Sequence, residues 1–217
     1  MGGGALLDAE SKLESLILAL AGVESPRVCF LATAVADHPE RILGFYRAFG
    51  ARDCRPTHLE LFGAPEEPAA RLADQDVVYV SGGNTANALA LWRVHGIDVA
   101  LREILERGTV LAGWSAGGNC WFEDSVTDSF GPLTALGDGL GFLPGSFCPH
   151  YDGELDRRPT YARLVSEGMA PGYAADDDAA FVFRDGELLE VVAQREGAAG
   201  HRVTRDGTEP LETRLLP

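Results

Sequence analysis

Between residue 8 and about residue 112, short apolar runs alternate with segments of helical period, and this alternation leaves few architectures open. A strand, a helix and a second strand in succession build a parallel sheet with helices on its faces. Val28 to Ala32, His58 to Phe62, Val77 to Val80 and Thr109 to Gly113 read as strands. Leu13, Leu16, Ile17 and Leu20 share one face at helical spacing, and Asn84 to Val94 and Val99 to Arg107 are helix-compatible. Beyond Ser115 the texture changes. Gly and Pro punctuate residues 131–149, one helix fits Thr160 to Glu167, and short strands follow with turns at Asp185-Gly186 and Asp206-Gly207. The expectation is an α/β fold in a single domain over residues 1–217: a mostly parallel central sheet flanked by helices, ending in C-terminal hairpin strands. Gly2, Gly3 and Gly4 read as a strand-to-helix turn whose strand is missing, either a truncated first strand or a remnant of cloning.

The totals narrow the function. A length of 217 residues with 46% hydrophobic and 24% charged residues suffices for a sizeable core. The net charge of -15 and the absence of a basic stripe argue against nucleic acid and an anionic membrane surface as partners. No apolar stretch approaches the roughly 20 residues of a membrane span, and no basic segment leads into an apolar run at the start, so a cytoplasmic protein is expected. Cys29, Cys54, Cys120 and Cys148 stand far apart without a CxxC pair and read as reduced, buried thiols. No two histidines stand at helical ligand spacing, so no metal is expected.

Gly113-Trp114-Ser115-Ala116-Gly117 has the G-x-S-x-G pattern of a nucleophile elbow and lies between an apolar strand and a helical stretch. In such an elbow the small neighbours permit close packing, and the next amide, that of Ala116, faces a developing oxyanion. An ordinary tight turn gives the same pattern. Ser81-Gly82-Gly83-Asn84-Thr85 is a second glycine turn before a helix; it lacks the Lys of a phosphate loop and the spaced glycines of a dinucleotide site, which leaves an oxyanion loop with Asn84 as helix cap. His150, in the loop Cys148-Pro149-His150-Tyr151-Asp152, is the histidine free to reach a nucleophile, whereas His38, His58, His95 and His201 read as surface or core residues.

Four motifs in order, SGGNT, GWSAGGN, PHYD followed by Arg157-Arg158, and GYAADDDAAFVFRDG, closely resemble the peptidase E family of aspartyl dipeptidases from about residue 27 onward, with cyanophycinase as the nearby relative. The resemblance implies a fold similar to class I glutamine amidotransferases and a Ser-His-acid triad without metal or organic cofactor. By motif position Ser115 is the nucleophile, His150 the base, and Gly83 and Ala116 the oxyanion-hole amides. Two acids are candidates. Counting back from Asp185-Gly186 gives Asp177, one methylene shorter than the family's frequent Glu; Asp128, also legible as a turn residue, matches a second family position. If residues 176–178 are extended, Asp177 faces away from Asp176 and Asp178. The resemblance further implies substrate contacts from Asn84, Thr85 and Arg157, the last pairing with a substrate Asp side chain while Arg158 caps or solvates the helix start; two surface arginines balancing nearby acids is the other reading. The implied activity is a serine dipeptidase acting on short acidic peptides with N-terminal Asp. A cyanophycinase-like hydrolase of β-aspartyl linkages and a non-catalytic peptide-binding relative are the alternatives, and the oligomeric state is not legible.

Overall fold

The computed structural model describes residues 1–4, 6–63 and 66–217. Its first half contains α1 (Lys12–Leu20), β1 (Arg27–Leu31), α2 (Pro39–Phe49), β2 (Arg55–Leu59), β3 (Val77–Val80), α3 (Thr85–His95), α4 (Ile97–Glu106) and β4 (Val110–Gly113). The four strands form one parallel sheet in the order β2-β1-β3-β4. Successive side chains of a strand point to opposite faces, and here both faces are covered. Phe30 and Tyr79 pack with Phe45, Phe49 and Trp114 on one side, while Leu31, Val78 and Val80 pack with Leu89, Trp92 and Leu101 on the other. Burial on both faces is why β1 and β3 read as continuous apolar runs.

Two departures from the sequence reading have physical causes. β2 occupies residues 55–59, earlier than the apolar run suggested, because it is an edge strand whose side chains alternate between exposed and half-buried. α2 was not expected, although Pro39 stands in its first turn and Ile42, Phe45, Ala48 and Phe49 bury one face at helical spacing.

The second half contains α5 (Ala116–Asn119), β5 (Phe122–Thr127), β6 (Thr134–Leu136), β7 (Leu143–Cys148), α6 (Arg157–Ser166), β8 (Gly172–Ala175), β9 (Ala179–Arg184), β10 (Glu187–Ala193), β11 (Gly200–Thr204), β12 (Gly207–Pro210) and β13 (Thr213–Leu215). A six-stranded mixed sheet runs β12-β11-β8-β7-β5-β6, in which β5, β7 and β8 are parallel. A small sheet, β13-β10-β9, carries the hairpin turning at Asp185-Gly186. The central sheet is thus divided, and residues 1–4 lie at the division. The Ser115 amide donates to the carbonyls of Met1 and Gly2, and the Gly2 amide donates to the Ala179 carbonyl, so this segment ties the end of β4 to the start of β9. Cys29, Cys120 and Cys148 are buried and Cys54 is half-buried, all four as free thiols.

Candidate active site

The chain turns sharply from β4 into α5 at Ser115, which has φ 53° and ψ -116°. An L residue pays for that conformation with steric strain, because its Cβ crowds the backbone. The neighbours hold it there. A Cβ on Gly117 would collide with the Val80 carbonyl, and one on Gly113 would collide with the Gly117 carbonyl. Ser115's own carbonyl accepts the amides of Gly118 at 2.8 Å and Asn119 at 2.9 Å, locking the first turn of α5. The glycine turn after β3 abuts this elbow: a Cβ on Gly82 would lie 2.8 Å from Trp114 Nε1 and 3.2 Å from Ser115 Cβ.

Gly83 has φ 137°, and a Cβ there would collide with the Ala34 carbonyl, so the turn admits only glycine. Among the described residues the amides of Gly83 and Ala116 donate no hydrogen bond. The side chains beside them are committed. Asn84 caps α3 by accepting the Asn87 amide at 2.9 Å and donates to the Ser129 carbonyl at 2.9 Å. Thr85 is buried and accepts Asn119 Nδ2 at 3.3 Å. Asn84 and Thr85, expected at the substrate, brace the glycine turn against α5 and the 127–129 loop.

His150 sits between β7 and α6 with φ 54°, fixed by the Tyr151 amide donating to the Ala175 carbonyl at 3.0 Å. Its Nδ1 lies 2.7 Å from Asp177 Oδ1, and both side chains are about a quarter exposed. With Nδ1 bonded to the carboxylate, Nε2 is the nitrogen left to accept a proton. Asp177 occupies the turn between β8 and β9. Asp176 points elsewhere, accepting the Ala199 amide at 3.1 Å and pairing with His201 Nε2 at 3.1 Å and Arg158 Nη2 at 3.4 Å. Asp178, at φ 67°, pairs with Arg195 at 3.2 Å. The three carboxylates therefore diverge as the sequence suggested, from a turn rather than an extended strand. Asp128 does not reach His150. It is exposed, and among the described residues only its carbonyl is bonded, to the Gly131 amide at 3.0 Å.

The N-terminal glycines touch both the Ser115 elbow and the His150–Asp177 pair. The Gly2 carbonyl accepts the Ser115 amide, while a Cβ on Gly3 would lie 2.6 Å from both His150 Nδ1 and Asp177 Oδ1. No hydrogen bond joins Ser115 Oγ to His150, a contact that in unliganded sites is often long. Gly2 and Gly3 are the site residues that sequence reasoning missed. Their signal was consecutive glycine, which permits backbone to pass where any side chain would clash.

Arg157 is placed otherwise than the count through α6 suggested. It is 3% exposed, with Nε donating to Glu154 Oε2 at 2.7 Å and Nη1 to the Val126 carbonyl at 3.1 Å, so its guanidinium is spent inside the protein. Neighbouring residues on a helix point in different directions, and Arg158 takes the outward one. Its half-exposed guanidinium lies 4.6 Å over the Tyr151 ring and donates from Nε to the Tyr151 carbonyl at 2.9 Å. A cleft of about 220 Å³ lined by Asp8, Ser11, Lys12, Asp178, Gln194 and Arg195 includes neither Ser115 nor His150, so the geometry of the side chains, not concavity, locates the chemistry.

The sequence profile described as Peptidase family S51 matches residues 1–191. The chain is 50% identical over 205 residues to the uncharacterized peptidase YgaJ of Bacillus subtilis, covering 93% of this chain and 89% of that one. It is 31% identical over 198 residues to peptidase E of Streptomyces coelicolor, covering 86% and 77% respectively. A crystal structure of a peptidase from an acI-B1 Actinobacterium superposes with a TM-score of 0.78 at 18% identity, over 98% of this chain and 92% of that one, a likeness of fold.

Proposed function

This chain belongs to peptidase family S51 and is a peptide hydrolase; from that premise we propose that it is a serine peptidase cleaving short peptides with an N-terminal Asp through an acyl-enzyme. The observation that carries the reading is the strained elbow at Ser115 together with a His150 whose Nδ1 lies 2.7 Å from Asp177, the backbone of Gly2 and Gly3 touching both. In this reading Ser115 Oγ attacks the peptide carbonyl, His150 Nε2 takes its proton, and Asp177 holds the Nδ1 tautomer and the imidazolium that forms. The free amides of Gly83 and Ala116 supply two donors for the oxyanion. His150 then returns the proton to the leaving amine, and water, activated the same way, releases the acid.

The preference for an acidic residue needs an accessible cation. Arg158, adjacent to the His150 loop and half-exposed, supports that role better than the buried Arg157. The test compares an Asp-X dipeptide, its β-aspartyl isomer and a neutral dipeptide in wild type, Ser115→Ala, Arg157→Ala and Arg158→Ala. Ser115→Ala is expected to abolish turnover and labelling by a fluorophosphonate probe. Arg158→Ala should lower kcat/KM for Asp-X by about 1–2 kcal/mol relative to the neutral peptide, less than a buried pair loses because water still screens the site. Turnover surviving in Ser115→Ala refutes the serine mechanism. Preferential cleavage of the β-aspartyl isomer assigns the activity to the other linkage, and an unchanged ratio in Arg158→Ala removes that residue from recognition.

A further inference from the structure

Asp177 reaches His150 with its side chain, but its backbone is gripped separately. Its amide donates to Asp152 Oδ1 at 2.7 Å, and its carbonyl accepts Arg195 Nη2 at 2.9 Å. The same Nη2 lies 2.6 Å from Asp152 Oδ2, closing a ring of three contacts, and Arg195 Nε reaches on to Asp178 Oδ2 at 3.2 Å. One ion pair thus holds both polar groups of the Asp177 main chain. Asp152 also lies two residues beyond His150, so one short loop carries the imidazole and holds its carboxylate partner. That loop is pressed against the partner, because a Cβ on Gly153 would collide with Asp177 Oδ2.

We propose that the Asp152–Arg195 pair is the positioning device of the His150–Asp177 dyad, setting the height and direction of the Asp177 carboxylate. The need for one is visible in the chain. The acid is an Asp on a three-aspartate turn whose last member has φ 67°, so small backbone shifts would swing Asp177 off Nδ1 or bring a neighbour into its place. Of the other charged groups around the turn, Asp176 is engaged with His201 and Arg158, and Asp178 shares Arg195 with Asp152 through Nε. Burial pushes the Asp152 carboxyl up, but the Asp177 amide and Arg195 outweigh it and hold Asp152 below its ordinary value, so the pair stays charged at neutral pH. Arg195 is 44% exposed at its side chain. An ion pair that open contributes little to global stability, so the pair's effect is to be sought in geometry.

The inference rests on the peptidase reading for its kinetic arm and is independent of it for its spectroscopic arm. Steady-state hydrolysis of an Asp-X dipeptide and the proton NMR resonance expected far downfield for the His150 Nδ1–H bonded to Asp177 are measured in wild type, Arg195→Ala, Arg195→Lys, Asp152→Ala and the double alanine variant. Arg195→Ala and Asp152→Ala are each expected to lower kcat by up to about 100-fold with KM nearly unchanged, the scale of a misplacement near 1 Å. Both should weaken the Nδ1–H resonance, because the ring loses a well-placed carboxylate. Arg195→Lys restores one contact and should recover part of both losses. The double variant should be no worse than the more damaging single one, since the pair acts as a unit. An unchanged Nδ1–H resonance in Arg195→Ala and Asp152→Ala overturns the proposal, even where kcat falls with thermal stability. If wild type hydrolyses no peptide and Ser115 takes no probe, the peptidase reading fails, and the NMR arm still decides this one.

Discussion

Replacing Ser115 by Gly should inactivate the protein and stabilise it, and the comparison with Ser115→Ala isolates the reason. At φ 53° and ψ -116°, Ser115 adopts the mirror image of an extended conformation, open to glycine but not to L side chains. A residue held in such a region costs on the order of 1–3 kcal/mol. Removing the Cβ relieves that strain, while glycine adds about 0.5–1 kcal/mol of unfolded-state entropy. The difference leaves Ser115→Gly more stable than Ser115→Ala by up to about 2.5 kcal/mol. Both variants lose the same hydroxyl, which makes no hydrogen bond in the structure, so that loss cancels. For a chain of 217 residues about 1 kcal/mol moves Tm by about 2–4 °C, and Ser115→Gly should melt above Ser115→Ala by up to about 10 °C. Thermal unfolding followed by circular dichroism, backed by urea midpoints, reads the effect. A glycine variant no more stable than the alanine one refutes stored strain at the elbow, whatever the hydrolysis assays give.

The acid member is separated by two substitutions: Asp177→Asn should lower kcat by about 10²–10⁴-fold, as when a triad imidazole loses its carboxylate, while exposed Asp128→Asn stays near wild type. The reverse order of damage would move the acid to the earlier loop. Glu14 supplies a pH dependence. Burial pushes its carboxyl above the ordinary range, against the Leu7 amide, the Tyr79 hydroxyl and Arg52. The folded protein therefore holds the proton more tightly than the unfolded chain. Its contribution is full below about pH 4.3, the unfolded value, and is lost as pH rises through the higher folded value. The stability of wild type minus that of Glu14→Gln should accordingly fall as pH rises above about 4.3 in urea titrations; a flat or rising difference refutes it.

The parallel half of the fold was legible because its inner strands are buried on both faces. Val77 to Val80 has no exposed position, and its apolar run marks the strand end to end. β2, half-exposed at the edge, left only a displaced trace. Beyond Ser115 the mixed sheet was obscured because β6 and β7 carry exposed and glycine positions, as at Gly145 with φ 82°. At the site, Ser115 and His150 announced themselves through local context. The roles of Arg157, Asn84 and Thr85 could not be read locally, because what decides them is where Glu154, Val126, Ser129 and Asn119 stand in space. Gly2 and Gly3 were visible as glycines, but their reason lies at residues 115, 150 and 177.

Three non-glycine residues at the site, Ser115, His150 and Asp178, hold positive φ at 53°, 54° and 67°. Such positions persist only where the surroundings over-determine them, and the restraint differs at each. At Ser115 it is steric, through glycines that let α5 close on Val80. His150 is held by the Tyr151 amide on Ala175 and by the 2.7 Å contact to Asp177. Asp178 is held by its amide on the Gly3 carbonyl at 3.0 Å and by Arg195. The first restraint lies within the parallel half, where Gly117 closes on the Val80 carbonyl. The other two reach across 17 residues or more between loops, and one of them ends on Arg195 beyond β10 in the small C-terminal sheet. Loosening that sheet should therefore disturb the His150–Asp177 dyad before it disturbs the nucleophile elbow.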